Sequence, residues 1–119
     1  MPLRVLIVED QTIVALDVQD IVEGAGFKVV GHATSPEEAL KLAAKAKPQI
    51  AIVDMSLNGE ADGLGVARTL GQRHRIPVLF LTGSDAYIVR ANSMEIEPLG
   101  YVLKPYQPED ILAPLRAFG

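Results

Sequence analysis

A chain of 119 residues, 49% of them apolar and 22% charged, is the length and make-up of one globular domain with a single core. The lack of cysteine excludes disulfides and thiolate metal sites and is compatible with a reducing cytoplasm. A net charge of −4 without any Lys/Arg cluster argues against direct nucleic-acid binding, and no apolar run approaches the roughly 20 residues of a membrane span.

The N-terminus, Met1-Pro2-Leu3-Arg4, lacks the features of a secretory signal. Leu3 to Val8 is an apolar run broken only by Arg4, and it predicts a first strand ending in Glu9-Asp10. Gln11 to Ala25 predicts a helix, with Val14, Val18, Ile21 and Val22 on one stripe and Gly24 and Gly26 available to cap its end. Phe27 to His32 predicts a short second strand. Ser35-Pro36-Glu37-Glu38 is a capping box with proline at the first helical position. The helix it opens buries Ala39, Leu42, Ala43 and Ala46, and Pro48 ends it. Glu37-Glu38 is therefore a helix start and not an acid–base pair.

Ile50 to Val53 is four apolar residues running straight into Asp54. Pro48 and Asn58-Gly59 bound this run at strand length, and such a run suits a strand buried on both faces of a parallel sheet. A loop rich in Asn, Gly and acid follows, from Met55 to Asp62. The next helix, Gly63 to Arg73, turns Val66, Ala67 and Leu70 inward. Gly63-Leu64-Gly65 lacks the third glycine of a dinucleotide fingerprint and carries little weight as a phosphate loop. Pro77 to Leu81 predicts a fourth strand, ending in Thr82-Gly83-Ser84. Asp85 to Ser93 predicts a helix with no clean stripe, expected to be the most mobile. Leu99 to Leu103 predicts a fifth strand, ending in Lys104-Pro105. Pro108-Glu109-Asp110 opens a last helix with Ile111, Leu115 and Phe118 inward, and Pro114 should kink it. His32 and His74 stand too isolated to read as ligands; surface or capping roles fit them better. Met55, Met94 and the scattered aromatics form no stripe.

Five rounds of strand then helix argue an α/β fold, a parallel sheet covered on both faces. The strand ends of such a sheet share one edge, where open α/β sheets place their chemistry. Glu9, Asp10, Asp54, Thr82 and Lys104 thus converge on one cleft. Three carboxylates together repel and raise one another's pKa. A hard divalent cation such as Mg²⁺ relieves this and leaves waters to exchange with phosphate oxygens. Lys104 adds a fixed positive charge. A carboxylate there can act as nucleophile and become an acyl phosphate, with catalysis by positioning and charge neutralisation.

Val-Glu-Asp at 8–10, Val-Asp at 53–54, Thr-Gly at 82–83 and Tyr-Val-Leu-Lys-Pro at 101–105 resemble the receiver domain of two-component response regulators, and the resemblance covers the whole chain, 1–119. It implies a three-layer, doubly wound, five-stranded parallel sheet of order 2-1-3-4-5, the flavodoxin-like or CheY-like architecture. It also implies that Asp54 is the phosphoacceptor and that Mg²⁺ is held by Asp10, Asp54, the Ser56 backbone carbonyl and, through water, Glu9. Thr82 and Lys104 would hold the phosphoryl oxygens. Thr82 and Tyr101 would form the switch, and the Lys104-Pro105 bond would be cis. The implied partners are a sensor histidine kinase or phosphotransfer protein as donor and an unnamed output protein or effector domain, the chain being a monomer or weak homodimer in the cytoplasm. Output would pass through the surface of the fourth helix, fifth strand and fifth helix. Such a chain assists its own phosphorylation and dephosphorylation without being a turnover enzyme. Two features depart from the family pattern: the loop after Asp54, which lacks the proline often found there, is about a residue longer and carries Glu60 and Asp62, and Pro114 on the output face. Ser56 and Ser84 flank the phosphoryl position.

Other classes fit less well. A haloacid-dehalogenase-like phosphatase places its nucleophile after the first strand with a second Asp two places on, whereas position 56 is Ser and the first strand ends Glu-Asp-Gln. A flavodoxin-like flavin protein needs a Ser/Thr-rich phosphate loop where Glu9-Asp10 would repel phosphate. A phosphorylation-independent interaction module, a degenerate receiver, usually lacks one or more of the acceptor residues, and the intact set here argues against it. A receiver segment of a hybrid histidine kinase or larger regulator remains open.

Overall fold

The computed structural model describes residues 2–57, 62–94 and 96–118. Strands and helices alternate: β1 Arg4–Val8, α1 Thr12–Gly24, β2 Lys28–Ala33, α2 Pro36–Ala46, β3 Ile50–Asp54, α3 Asp62–His74, β4 Val78–Thr82, α4 Asp85–Ser93, β5 Gly100–Leu103 and α5 Pro108–Phe118. The five strands form one parallel sheet in the order β2-β1-β3-β4-β5. β3 lies at its centre with every residue buried.

Alternation along each strand explains the unbroken apolar runs. Leu6, Val8, Ala51, Val53, Val78 and Phe80 point to one face, where α2, α3 and Ala91 of α4 cover them. Val5, Ile7, Ile50, Ile52, Leu79 and Leu81 point to the other, beneath α1 and α5. Both faces are thus dry, as a doubly wound sheet requires.

Local signals set the boundaries. α1 ends in a Schellman motif: the Gly26 N–H donates to the Glu23 carbonyl at 3.0 Å and the Phe27 N–H to the Val22 carbonyl at 3.2 Å. Gly26 takes φ +94° there, so β2 starts at Lys28, one residue later than its apolar pattern suggests. Ser35 Oγ accepts the Glu38 N–H at 3.2 Å, and the Glu38 carboxylate reaches back to the Thr34 N–H at 2.8 Å. Lys47, at φ 48°, turns the chain out of α2 before Pro48.

Some inward faces differ from expectation. α1 buries Ala15, Val18 and Val22, while Val14 and Ile21 are only partly covered. Phe118, expected inward, is 41% exposed, and Leu112 is buried in its stead. Leu112 and Leu115 share the Ile111 face, whereas Phe118 sits in the last turn beside Leu3 and Phe27 at the sheet's lower edge. α5 continues through Pro114 as one helix. Among the described side chains of α4 only Ala91 is buried. The loop acid Glu60 lies outside the described residues, as does the Asp62 side chain. No described helix is long and apolar enough to cross a membrane.

Candidate functional site

The strand ends set the site. β1 and β3 pair as far as Val8 opposite Val53, so Glu9 and Asp54 leave side by side. β3 pairs with β4 as Asp54 opposite Leu81, and β4 with β5 as Thr82 opposite Leu103, which delivers Thr82 and Lys104 to the same edge. Glu9 and Thr82 are fully buried, Asp54 is 2% exposed, and Asp10 is half-buried. Carboxylate oxygens of Glu9, Asp10 and Asp54 all lie within 4.8 Å of one another.

The two oxygens of Asp54 have different neighbours. Oδ1 accepts the Ser56 N–H and the Ser56 hydroxyl, both at 3.0 Å. Oδ2 faces the Lys104 ammonium at 3.4 Å. Lys104 Nζ also lies 3.5 Å from Glu9 Oε1, so one cation bridges two buried acids. Two donors on one oxygen and an ammonium on the other fix the carboxylate in a single orientation.

Glu9 is the strained member. Its Oε2 accepts the Gln11 N–H at 3.2 Å, but the buried Oε1 makes no hydrogen bond among the described residues. Burial, and after it the adjacent Asp54 carboxyl, push the Glu9 carboxyl from 4.5 up to about 8. A buried carboxylate oxygen without a hydrogen bond, within reach of two more carboxylates, is the donor set a hard divalent cation requires. The residues present therefore fit a hard divalent cation, to which Glu9, Asp10 and Asp54 each offer a carboxylate oxygen, directly or through water.

The remaining expected site residues stand apart from this cluster. The Thr82 hydroxyl is engaged by its own loop: it donates to the Ser84 carbonyl at 3.0 Å and accepts the Ser84 N–H at 3.2 Å. Tyr101 stacks its ring on buried Phe80, with centroids 5.8 Å apart and planes 14° apart. Its hydroxyl points to Asn92 Oδ1 of α4, 3.5 Å away. The Lys104–Pro105 peptide is cis.

Two residues near the site carry contacts that the sequence reading did not assign. His32 Nε2 lies 2.9 Å from the Glu9 carbonyl oxygen. A carbonyl only accepts, so this nitrogen carries the proton and the ring ties β2 to the end of β1. Pairing β1 with β2 and counting to Ile7 opposite His32 would have exposed this role. The Tyr106 hydroxyl donates to Asp17 Oδ2 at 2.7 Å, joining the segment after Lys104 to α1; no local pattern signals a contact that distant in sequence.

Comparison with known proteins agrees with this geometry. The family model of the response regulator receiver domain matches residues 5–116. The phyllosphere-induced regulator PhyR of Methylorubrum extorquens is 35% identical over 115 residues, covering 95% of this chain and 42% of that protein. The alkaline phosphatase synthesis transcriptional regulatory protein PhoP of Bacillus subtilis is 30% identical over 115 residues, covering 96% of this chain and 47% of the regulator. The chain thus spans about half the length of these relatives or less. Among solved structures, the signal receiver domain of a modulated diguanylate cyclase from Desulfovibrio desulfuricans superimposes with a TM-score of 0.87 at 31% identity, covering 98% of this chain and 93% of that one. The sheet order, the acidic edge with its lysine and these matches lead to one assignment: the chain belongs to the receiver domain family of two-component response regulators.

Proposed function

We propose that Asp54 accepts a phosphoryl group from the phosphohistidine of a sensor histidine kinase or phosphotransfer protein, in a Mg²⁺-dependent reaction. The observation that carries this reading is the orientation of Asp54: Ser56 holds Oδ1, Lys104 faces Oδ2, and two more carboxylates stand within 4.8 Å. An oxygen of Asp54 forms the new bond to phosphorus as the phosphorus–nitrogen bond to the donor imidazole breaks. The imidazole leaves with the electron pair of that bond and takes a proton from solvent. Lys104 offsets charge on the phosphoryl oxygens, and the fixed carboxylate removes the cost of orienting the nucleophile. Mg²⁺, held by Asp10, Asp54 and the Ser56 carbonyl, with Glu9 acting through water, would supply further charge neutralisation.

The signal then leaves through Thr82 and Tyr101. Phosphorylation gives the Thr82 hydroxyl an acceptor stronger than its Ser84 carbonyl, and its movement changes the space beside Tyr101 and α4. The output surface is that of α4, β5 and α5, where Val89, Leu99 and Leu103 expose apolar side chains suited to a partner. The chain is an acceptor that assists its own phosphoryl transfer and loss in the cytoplasm, and not a turnover enzyme. A phosphotransfer domain loaded with labelled phosphohistidine tests this. Wild type should take up a single label per chain and Asp54→Asn none. Equal labelling of the variant would overturn the assignment.

A further inference from the structure

α3 carries three glycines, and the structure separates them. A Cβ built at Gly65 or Gly71 meets nothing within 4 Å. One built at Gly63 would stand 1.9 Å from the Asp54 carbonyl oxygen, 2.8 Å from the Asp54 carbonyl carbon and 2.9 Å from the Met55 Cα. Those are backbone atoms, which cannot swing aside as a side-chain end can. Gly63 is buried and its φ is not positive, so space and not conformational freedom demands glycine there.

Neither side of this contact is free to give. Asp54 belongs to the central strand, and the Met55 N–H donates to the Leu81 carbonyl at 2.9 Å. α3 is seated by Leu64, Val66, Ala67 and Leu70, all buried. We infer that Gly63 is a positioning residue: it lets the first turn of α3 rest directly on the backbone of Asp54 and Met55 and so fixes where the acceptor and the following Ser56 stand. Relieving a methyl at 63 takes about 1 Å or more of movement, and about 1 Å at a reacting group can cost on the order of 100-fold in rate. A displacement of Asp54 and Met55 carries with it Ser56, whose N–H and hydroxyl orient Asp54 Oδ1. The predicted consequence for cation binding rests on the function proposed above; the positional claim does not.

The test compares three ¹⁵N-labelled proteins: wild type, Gly65→Ala/Gly71→Ala, and Gly63→Ala placed in that double-alanine background, whose added helix stability keeps the third chain folded. Each is titrated with MgCl₂ while amide resonances are followed. In the Gly63→Ala protein the Met55 and Ser56 amides should be displaced before any Mg²⁺ is added, β1 and β2 amides should stay in place, and the Mg²⁺ midpoint should rise tenfold or more. The double-alanine protein should match wild type in all three respects. Unmoved Met55 and Ser56 amides, or a midpoint within twofold of wild type beside a normal wild-type titration, would overturn the inference. So would loss of a dispersed spectrum, which would make Gly63 a requirement of the fold alone. If no protein responds to Mg²⁺, wild type included, the proposed function fails and the amide positions alone decide on Gly63.

Discussion

Replacing Glu9 by Gln should stabilise the metal-free protein, and by an amount that depends on pH in a defined way. The Glu9 carboxyl is fully buried and held up to about 8, against 4.5 ordinarily. At about 1.4 kcal/mol per pH unit, that difference sets a ceiling of about 5 kcal/mol on the cost of keeping this group in the fold. The Lys104 ammonium already opposes this shift, and relaxation of the fold with water entry at the open edge of the sheet reduces the burial cost further, so about 2–3 kcal/mol is the expected size. Below pH 4.5 both states are protonated and the cost vanishes. Between 4.5 and about 8 the unfolded chain gives up the proton while the native protein keeps it, so stability falls as pH rises, then levels above about 8. Urea unfolding of wild type and Glu9→Gln in EDTA at pH 5, 7 and 9 reads this directly. The stability gap should be small at pH 5 and open to about 2–3 kcal/mol by pH 9. Addition of Mg²⁺ should narrow it by stabilising wild type more. Parallel pH profiles for the two proteins would refute the reasoning.

Three further outcomes are expected. Gly65→Ala and Gly71→Ala should each raise stability by about 0.5–1 kcal/mol, because both are exposed helix positions with open space, and urea midpoints of the single variants check this. Ser35→Ala should cost about 1 kcal/mol in the same assay, since it removes the acceptor for the Glu38 N–H at the start of α2. Lys104→Ala should slow phosphorylation by acetyl phosphate on the order of 100-fold, as it removes the cation facing Asp54 and Glu9; a rate within threefold of wild type would deny Lys104 that role.

The parts of the fold written locally were legible. The apolar run into Asp54, the capping box at Ser35 and the Gly26 turn each use neighbouring residues, and each appears where its pattern puts it. The converging strand ends were legible for a topological reason: parallel strands share a direction, so Glu9, Asp54, Thr82 and Lys104 need no contact information to be gathered at one edge. Contacts set by register and packing were not legible. His32 reaches the Glu9 carbonyl across a strand pair, and Tyr106 reaches Asp17 across 89 positions. Gly63 read as a loose helix start, because its demand comes from the backbone of a strand below it and leaves no mark in the helix pattern. Phe118 had the right spacing for burial, but spacing does not show that the final turn reaches the lip of the core.

The central claim, an acceptor at Asp54 in a metal-dependent site, is tested most directly by intact mass after incubation with acetyl phosphate, for wild type and Asp54→Ala, with and without Mg²⁺. A single phosphoryl adduct on wild type alone, present with Mg²⁺ and absent without it, is the predicted result. An adduct of equal yield on Asp54→Ala, or no adduct on wild type under any condition, would contradict the account.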